Sequence, residues 1–158
     1  MATLLREMKR QSGRISVWTT VAVGALMLSG CAASKPNAIA LTNEGITLQQ
    51  KGDLDGAIAK YRQALVVDPN DAQAHYALGS ALQKKKDTDG AITEYRTALS
   101  KDPNLVGAHM GLGYCLYAKG DIPGAIRELK AYLQNPPADE PEMKAKVEQD
   151  LQKLEAAR

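Results

Sequence analysis

Asp53-Leu54-Asp55-Gly56-Ala57-Ile58 returns as Asp87-Thr88-Asp89-Gly90-Ala91-Ile92 and again as Asp121-Ile122-Pro123-Gly124-Ala125-Ile126, each copy 34 residues after the one before. Gly45, Gly79 and Gly113 keep the same step, as do Lys51, Lys85 and Lys119, and Pro69, Pro103 and Pro137. Tyr61 and Tyr95 keep it too, with Leu129 in third place. A fixed period of this size means stacked units, each too small to bury its own apolar face. The chain contains no Phe, and its one Trp lies in the first 30 residues. The core of the stack must therefore be built from Ala, Leu, Ile and Tyr, which suits closely packed helices.

Each unit reads as two helices. In the first, Ile39, Leu41, Ile46 and Leu48 mark a helix over about 38–50, with Asn37 as its cap. Gly52 stops it in the manner of a residue that accepts positive φ. Asp53 is an N-cap for a second helix over about 54–66, packed by Ala57, Ile58, Tyr61, Ala64 and Leu65. Asp68-Pro69-Asn70 ends that helix, and Asn70 or Asp71 caps the next, over 72–84. The place of Gly52 and Gly120 is taken by Lys86 in the second unit, which predicts a left-handed residue with a Cβ there.

This pattern resembles the tetratricopeptide repeat over residues 38–137, as three units, 38–71, 72–105 and 106–137. The small residue at the eighth position is Gly45, Gly79 and Gly113. Ala57, Ala91 and Ala125 hold the twentieth, and Tyr61 and Tyr95 the aromatic twenty-fourth. The third unit departs from the pattern: Leu129 replaces the aromatic and Tyr132 replaces the Ala of Ala64 and Ala98, an exchange that conserves volume across one layer. The resemblance implies an all-α, right-handed solenoid. Residues 138–158 then form a C-terminal capping helix, because Met143, Val147, Leu151 and Leu154 make one apolar stripe behind a polar back. No such cap precedes Ala38, so the tether or a second copy is expected to cover that end.

The resemblance also implies a concave groove lined by the first helix of each pair. Its residues here include Ile46, Gln49 and Gln50 in the first unit, Tyr76 and Gln83 in the second, and Met110, Tyr114 and Tyr117 in the third. Tyr and Met are residue types that interfaces use as anchors. The competing reading is that the tyrosines pack against the terminal helix. The charged clamp that some members use for a C-terminal carboxylate is missing, since its places hold Thr42, Ile46, Ala77, Gly107 and Gly111.

Residues 1–14 carry Arg6, Lys9, Arg10 and Arg14, residues 15–28 are uncharged, and small residues lead to Cys31. That is the order of a secretory signal peptide, its apolar stretch short of a membrane span. Leu28-Ser29-Gly30-Cys31 resembles the lipobox of bacterial lipoproteins, which implies cleavage between Gly30 and Cys31 and a covalent lipid on Cys31. A leader retained uncut, with Cys31 incidental, is the alternative. Residues 1–30 are thus the expected leader and 31–37 the lipidated Cys with a short tether of about 20 Å. In that family an Asp after the Cys favours the inner membrane, so with Ala32-Ala33 here the resemblance implies the periplasmic face of the outer membrane.

The formal charge of +2 belongs to the leader. Of 20 basic and 18 acidic residues, 16 and 17 remain beyond it, so nothing favours nucleic acid. His75 and His109 sit at equivalent places on successive units and read as packing residues, with no metal expected. Cys115 reads as a buried structural thiol, and Lys84-Lys85-Lys86 as a solvated helix end. No catalytic constellation and no cofactor beyond the lipid are expected. The reading is a non-enzymatic, lipid-anchored adaptor for a periplasmic or membrane protein, with pilotins, pilus-assembly factors and other envelope adaptors as analogues. A self-associating scaffold, starting from a homodimer, is the second reading.

Overall fold

The computed structural model describes residues 37–156, and the leader, Gly30, Cys31 and the tether up to Pro36 lie outside them. Seven helices follow one another among the described residues: α1 (Ala38–Gln50), α2 (Leu54–Val67), α3 (Ala72–Lys84), α4 (Thr88–Lys101), α5 (Val106–Ala118), α6 (Ile122–Gln134) and α7 (Pro141–Ala156). None is long and apolar enough to cross a membrane.

The repeated hexapeptide is a combined stop and start. At the end of α1, the Gly52 N–H donates to Gln49 O and the Asp53 N–H to Leu48 O, with Gly52 at φ 86°. This closes the helix with a left-handed residue. Asp53 then turns its carboxylate forward to accept from the Gly56 N–H at 2.9 Å, which caps α2. Asp87 and Asp121 repeat the cap on Gly90 and Gly124. A Cβ at any of these three glycines would strike the capping carboxylate, so the cap and the Gly come as a pair. Upstream, Asn37 accepts from the Ile39 N–H, and Asp71 rather than Asn70 caps α3.

Lys86 stands at φ 66°, the left-handed conformation that the repeat predicts for it. A Cβ there costs about 1–2 kcal/mol. We expect Lys86→Gly to stabilise the protein by roughly 1 kcal/mol, less the greater chain entropy of Gly, read as a rise in the urea midpoint at unchanged slope. Gly120→Ala, at φ 82°, should move the midpoint the other way.

Packing between helices fixes the shape. Each helix packs on the next, and in addition α1 touches α3 and α3 touches α5. The second helices, α2, α4 and α6, make no such contact with one another. The stack therefore bends with α1, α3 and α5 on its inner side. Close approach within a unit is set by the aromatic of its second helix. A Cβ on Gly45 would lie 2.5 Å from the Tyr61 ring, and one on Gly79 2.9 Å from the Tyr95 ring. The Tyr95 ring also reaches the next unit, where a Cβ on Gly111 would lie 2.5 Å from it. One ring thus needs glycine on two helices at once. Ala57, Tyr61, Ala91, Tyr95, Ala108, Leu112, Ala125 and Leu129 all belong to one continuous core.

Leu129 and Tyr132 are both fully buried, so the exchange moves the large side chain of the third unit three residues along α6 without exposing it. Its cost is visible in the Tyr132 hydroxyl, which is buried without a hydrogen-bond partner. Val147, Leu151 and Leu154 of α7 close the core, and Met143 packs at its edge.

At the other end of the described residues one position of the repeat turns polar. Leu78 and Leu112 belong to the continuous core, 3 % exposed each, whereas the equivalent residue of α1 is Glu44, exposed and paired with Lys60 at 2.6 Å. Leu41, Ala64 and Ala74 bury one another beneath it.

Candidate functional site

The inner helices carry every residue proposed for the groove, and the geometry divides them into two groups. Gln49 and Gln83 serve the core: the Tyr61 hydroxyl donates to Gln49 Oε1 at 3.2 Å, and the Tyr95 hydroxyl to Gln83 Oε1 at 2.8 Å. Gln49 Nε2 also donates to Ser80 across the unit boundary. Ile46 and Met110 are half-buried against the core. Tyr76 is half-buried too, its ring centroid 6.0 Å from that of Tyr95, and its hydroxyl rests over Gly107. The Tyr114 hydroxyl donates to Asp150 of α7 at 3.1 Å, so this tyrosine is held by the terminal helix. Gln50 and Tyr117 remain exposed, Tyr117 by 52 %. Lys84, at the place equivalent to Gln50, is exposed as well.

At the C-terminal end of this inner side lies a cleft of about 130 Å³ between α5, α6 and α7. Tyr114, Tyr117, Leu129, Asp150, Lys153 and Leu154 line it. Here α7 packs on α6 while its backbone keeps farther from α5 than the earlier inner helices keep from one another, and Tyr114 and Asp150 bridge the gap.

The histidines are fasteners between units. His75 Nδ1 meets Glu94 Oε2 at 2.7 Å, and its Nε2 donates to the Pro69 carbonyl at 3.2 Å. His109 makes the same bridge between Glu128 and Pro103. The carbonyl can only accept, so Nε2 carries a hydrogen. Among the described residues no group of three potential metal ligands comes together. Lys85 pairs with Asp55, and Lys119 with Asp89 at 2.9 Å, a ladder across successive units. Both pairs are exposed, and each contributes little to stability.

Cys115 is 1 % exposed, and burial pushes its thiol up to about 11 from 9.0. Tyr114 is raised to about 12, by burial first and then by its hydrogen bond to Asp150 and the charge on that carboxylate. Burial raises Tyr95 as well. In each case folding favours the neutral form. Stability is therefore complete below the unfolded values and is lost as pH rises. We expect the thermal midpoint to fall progressively between pH 9 and 12. Cys115→Ala should flatten the part of the fall between 9 and 11, which is worth on the order of 2 kcal/mol. At neutral pH a thiol reagent should reach Cys115 only in denaturant.

Residues 45–86 match the family described as TPR repeat, and residues 82–149 the family described as Tetratricopeptide repeat. No curated protein matches the sequence. Among solved structures, the type III secretion translocator chaperone SycD of Yersinia enterocolitica is similar at 19 % identity, covering 84 % of this chain and 92 % of its own, with a TM-score of 0.72. SycD in complex with a peptide of the translocator YopD aligns at 20 % identity over 74 % of this chain and 91 % of its own, with a TM-score of 0.70. The first TPR of Spaghetti (RPAP3), bound to the HSP90 peptide SRMEEVD, aligns at 20 % identity over 77 % of this chain and 94 % of its own, with a TM-score of 0.69. At these identities the likeness is one of fold, and it agrees with the helix pairs, caps and inner-helix contacts described above. From residue 45 to residue 149 this chain is built of tetratricopeptide repeats.

Proposed function

We propose that the protein is a non-enzymatic adaptor, anchored by lipid to the bacterial envelope, that holds a segment of a partner protein along the inner side of its repeats. The observation that carries this reading is that the inner helices keep Gln50, Lys84 and Tyr117 exposed at equivalent or neighbouring places of the repeat, while the core between units is buried. The fold is one in which SycD and Spaghetti have been seen with peptides, which supports a peptide as the ligand class. The leader supports the address. Its basic start, its apolar stretch and Leu28-Ser29-Gly30-Cys31 suit cleavage before Cys31 and acylation of that thiol. Six tether residues then keep the repeats within about 20 Å of the bilayer, with the periplasmic face of the outer membrane as the favoured site. Assembly of a pilus, a secretion system or another envelope complex is the setting such an adaptor suits.

Cross-linking of the native protein in envelope extract tests the groove. A single envelope protein should be captured, and Gln50→Ala with Tyr117→Ala should lose it without change in helicity. Capture that survives the double substitution would move the site to another face. A product that contains only this chain would favour the scaffold. Labelled palmitate should enter the protein and be absent from Cys31→Ser; equal labelling of both would refute the anchor.

A further inference from the structure

The two complete units show what belongs in the space at the third. In the first, the Tyr61 ring lies against Gly45, and its hydroxyl is held by Gln49. In the second, the Tyr95 ring lies against Gly79 and Gly111, and its hydroxyl is held by Gln83. The Tyr95 ring sits between the inner helix of its own unit and the inner helix of the next. In the third unit the aromatic is Leu129, whose Cδ2 already occupies the position nearest Gly113. Nothing in Leu129 extends to where the outer ring and hydroxyl of the earlier tyrosines lie. Tyr114 and Tyr117 stand at the places of Ser80 and Gln83, and α7 follows α6 in the chain as the next inner helix follows α2 and α4. These elements line the cleft of about 130 Å³.

We propose that this cleft is a socket for an aromatic side chain bearing a hydrogen-bond donor, a tyrosine above all, supplied by the partner segment that the groove holds. The proposal rests on the groove reading and names the residue type that anchors it. Its chemistry follows the two internal precedents. Leu129 and Leu154 give an apolar floor, and Tyr114 and Tyr117 give ring faces suited to offset or edge contact. Asp150 at the rim offers a carboxylate oxygen, as Gln49 and Gln83 offer an amide oxygen to the internal phenols. The size suits one ring: an engineered cavity of about 150 Å³ accepts benzene. Lys153, 3.6 Å from Asp150, keeps the rim near neutrality, which favours a neutral phenol over a charged side chain.

The test uses the full-length protein in detergent solution with 13C-labelled leucine methyls. N-acetyl-tyrosinamide is the probe, and N-acetyl-leucinamide and N-acetyl-alaninamide are the comparisons. The tyrosine compound should shift the Leu129 and Leu154 methyls saturably, at a concentration about tenfold below that needed for the alanine compound. Leu129→Tyr should abolish the response by filling the socket from within. Tyr117→Ala, at an exposed position that leaves the fold intact, should weaken it about tenfold. Equal responses to the tyrosine and alanine compounds would overturn the socket, as would a tyrosine response that survives both substitutions. A leucine compound as effective as the tyrosine one would overturn the aromatic donor as its occupant. These probes are independent of any partner protein. Failure here leaves the cross-linking result standing, and failure of cross-linking leaves this titration readable.

Discussion

Tyr95→Ala should cost about 3–5 kcal/mol, a large share of the stability available to a domain of this size. Tyr95 is 2 % exposed at the centre of the continuous core, and its ring is the one object shared by α3, α4 and α5. Gly79 and Gly111 lack side chains because that ring fills the space beside them, so truncation leaves a cavity walled by backbone, which relaxes poorly. Repeat arrays hold together through neighbouring interfaces, and this substitution weakens the second unit and its junction with the third together. Urea denaturation should show a lower midpoint. A broadened or two-step transition would mean that the units on either side of Tyr95 no longer unfold together. Tyr95→Phe separates the ring from its hydroxyl. It should cost about 1 kcal/mol, the worth of the bond to Gln83. A loss below about 1 kcal/mol for Tyr95→Ala would refute the view that one ring pins three helices.

Val147→Asp should undock the terminal helix and cost roughly 3 kcal/mol or more. Val147 is fully buried on α7 against the same cluster that holds Leu129 and Tyr132. The substitution gives up about 1.5–3 kcal/mol of apolar burial, and a carboxylate there would have to be desolvated without a partner. The cheaper response is for α7 to leave. Two readouts distinguish that from global unfolding. Tyr114 would lose part of its burial as well as its bond to Asp150, so its spectrophotometric titration should fall from about 12 towards the ordinary 10.0 while far-ultraviolet helicity is largely kept. The uncovered face of α6, with Ile126, Leu129 and Tyr132, should make the protein associate in a concentration-dependent manner. Unchanged titration of Tyr114 would mean that α7 stays in place, and that the cap is held by more than its apolar stripe. The same variant should lose the tyrosine socket, because Asp150 and Leu154 would depart with the helix.

Much of the fold is legible in the chain because each feature is local and is written three times. The cap of Asp53 on Gly56, the left-handed stop at Gly52 and the small residue at Gly45 are decided within a few residues, and the period repeats the decision. Lys86 is the telling case: the period assigns it a conformation its own side chain opposes, and the structure has it at φ 66°. The stripe of Val147, Leu151 and Leu154 is likewise local, so the terminal helix and its buried face follow from spacing alone.

The groove was less legible. Its positions follow from the repeat, but whether each side chain is free depends on partners far along the chain. Gln49 and Gln83 look like solvent-facing amides, yet both are acceptors for buried tyrosines. A signal for this was present: Gln and Tyr recur 12 residues apart in two units, and both are absent from the third, where Tyr117 and Leu129 stand. Tyr114 bonds to Asp150, 36 residues on, because of the place α7 takes against α6, and no local pattern encodes that placement. The polar position at Glu44 shows only when it is compared with Leu78 and Leu112.

By itself, then, the sequence determined the helix pairs, most of their caps and the core residues, since hydrogen bonds within a turn and apolar spacing within a helix need no distant partner. The tertiary structure decided which inner-face residues are spent and which are free, and it opened the cleft beside Leu129. Those outcomes depend on the distance between helices, which is set by side chains meeting across units.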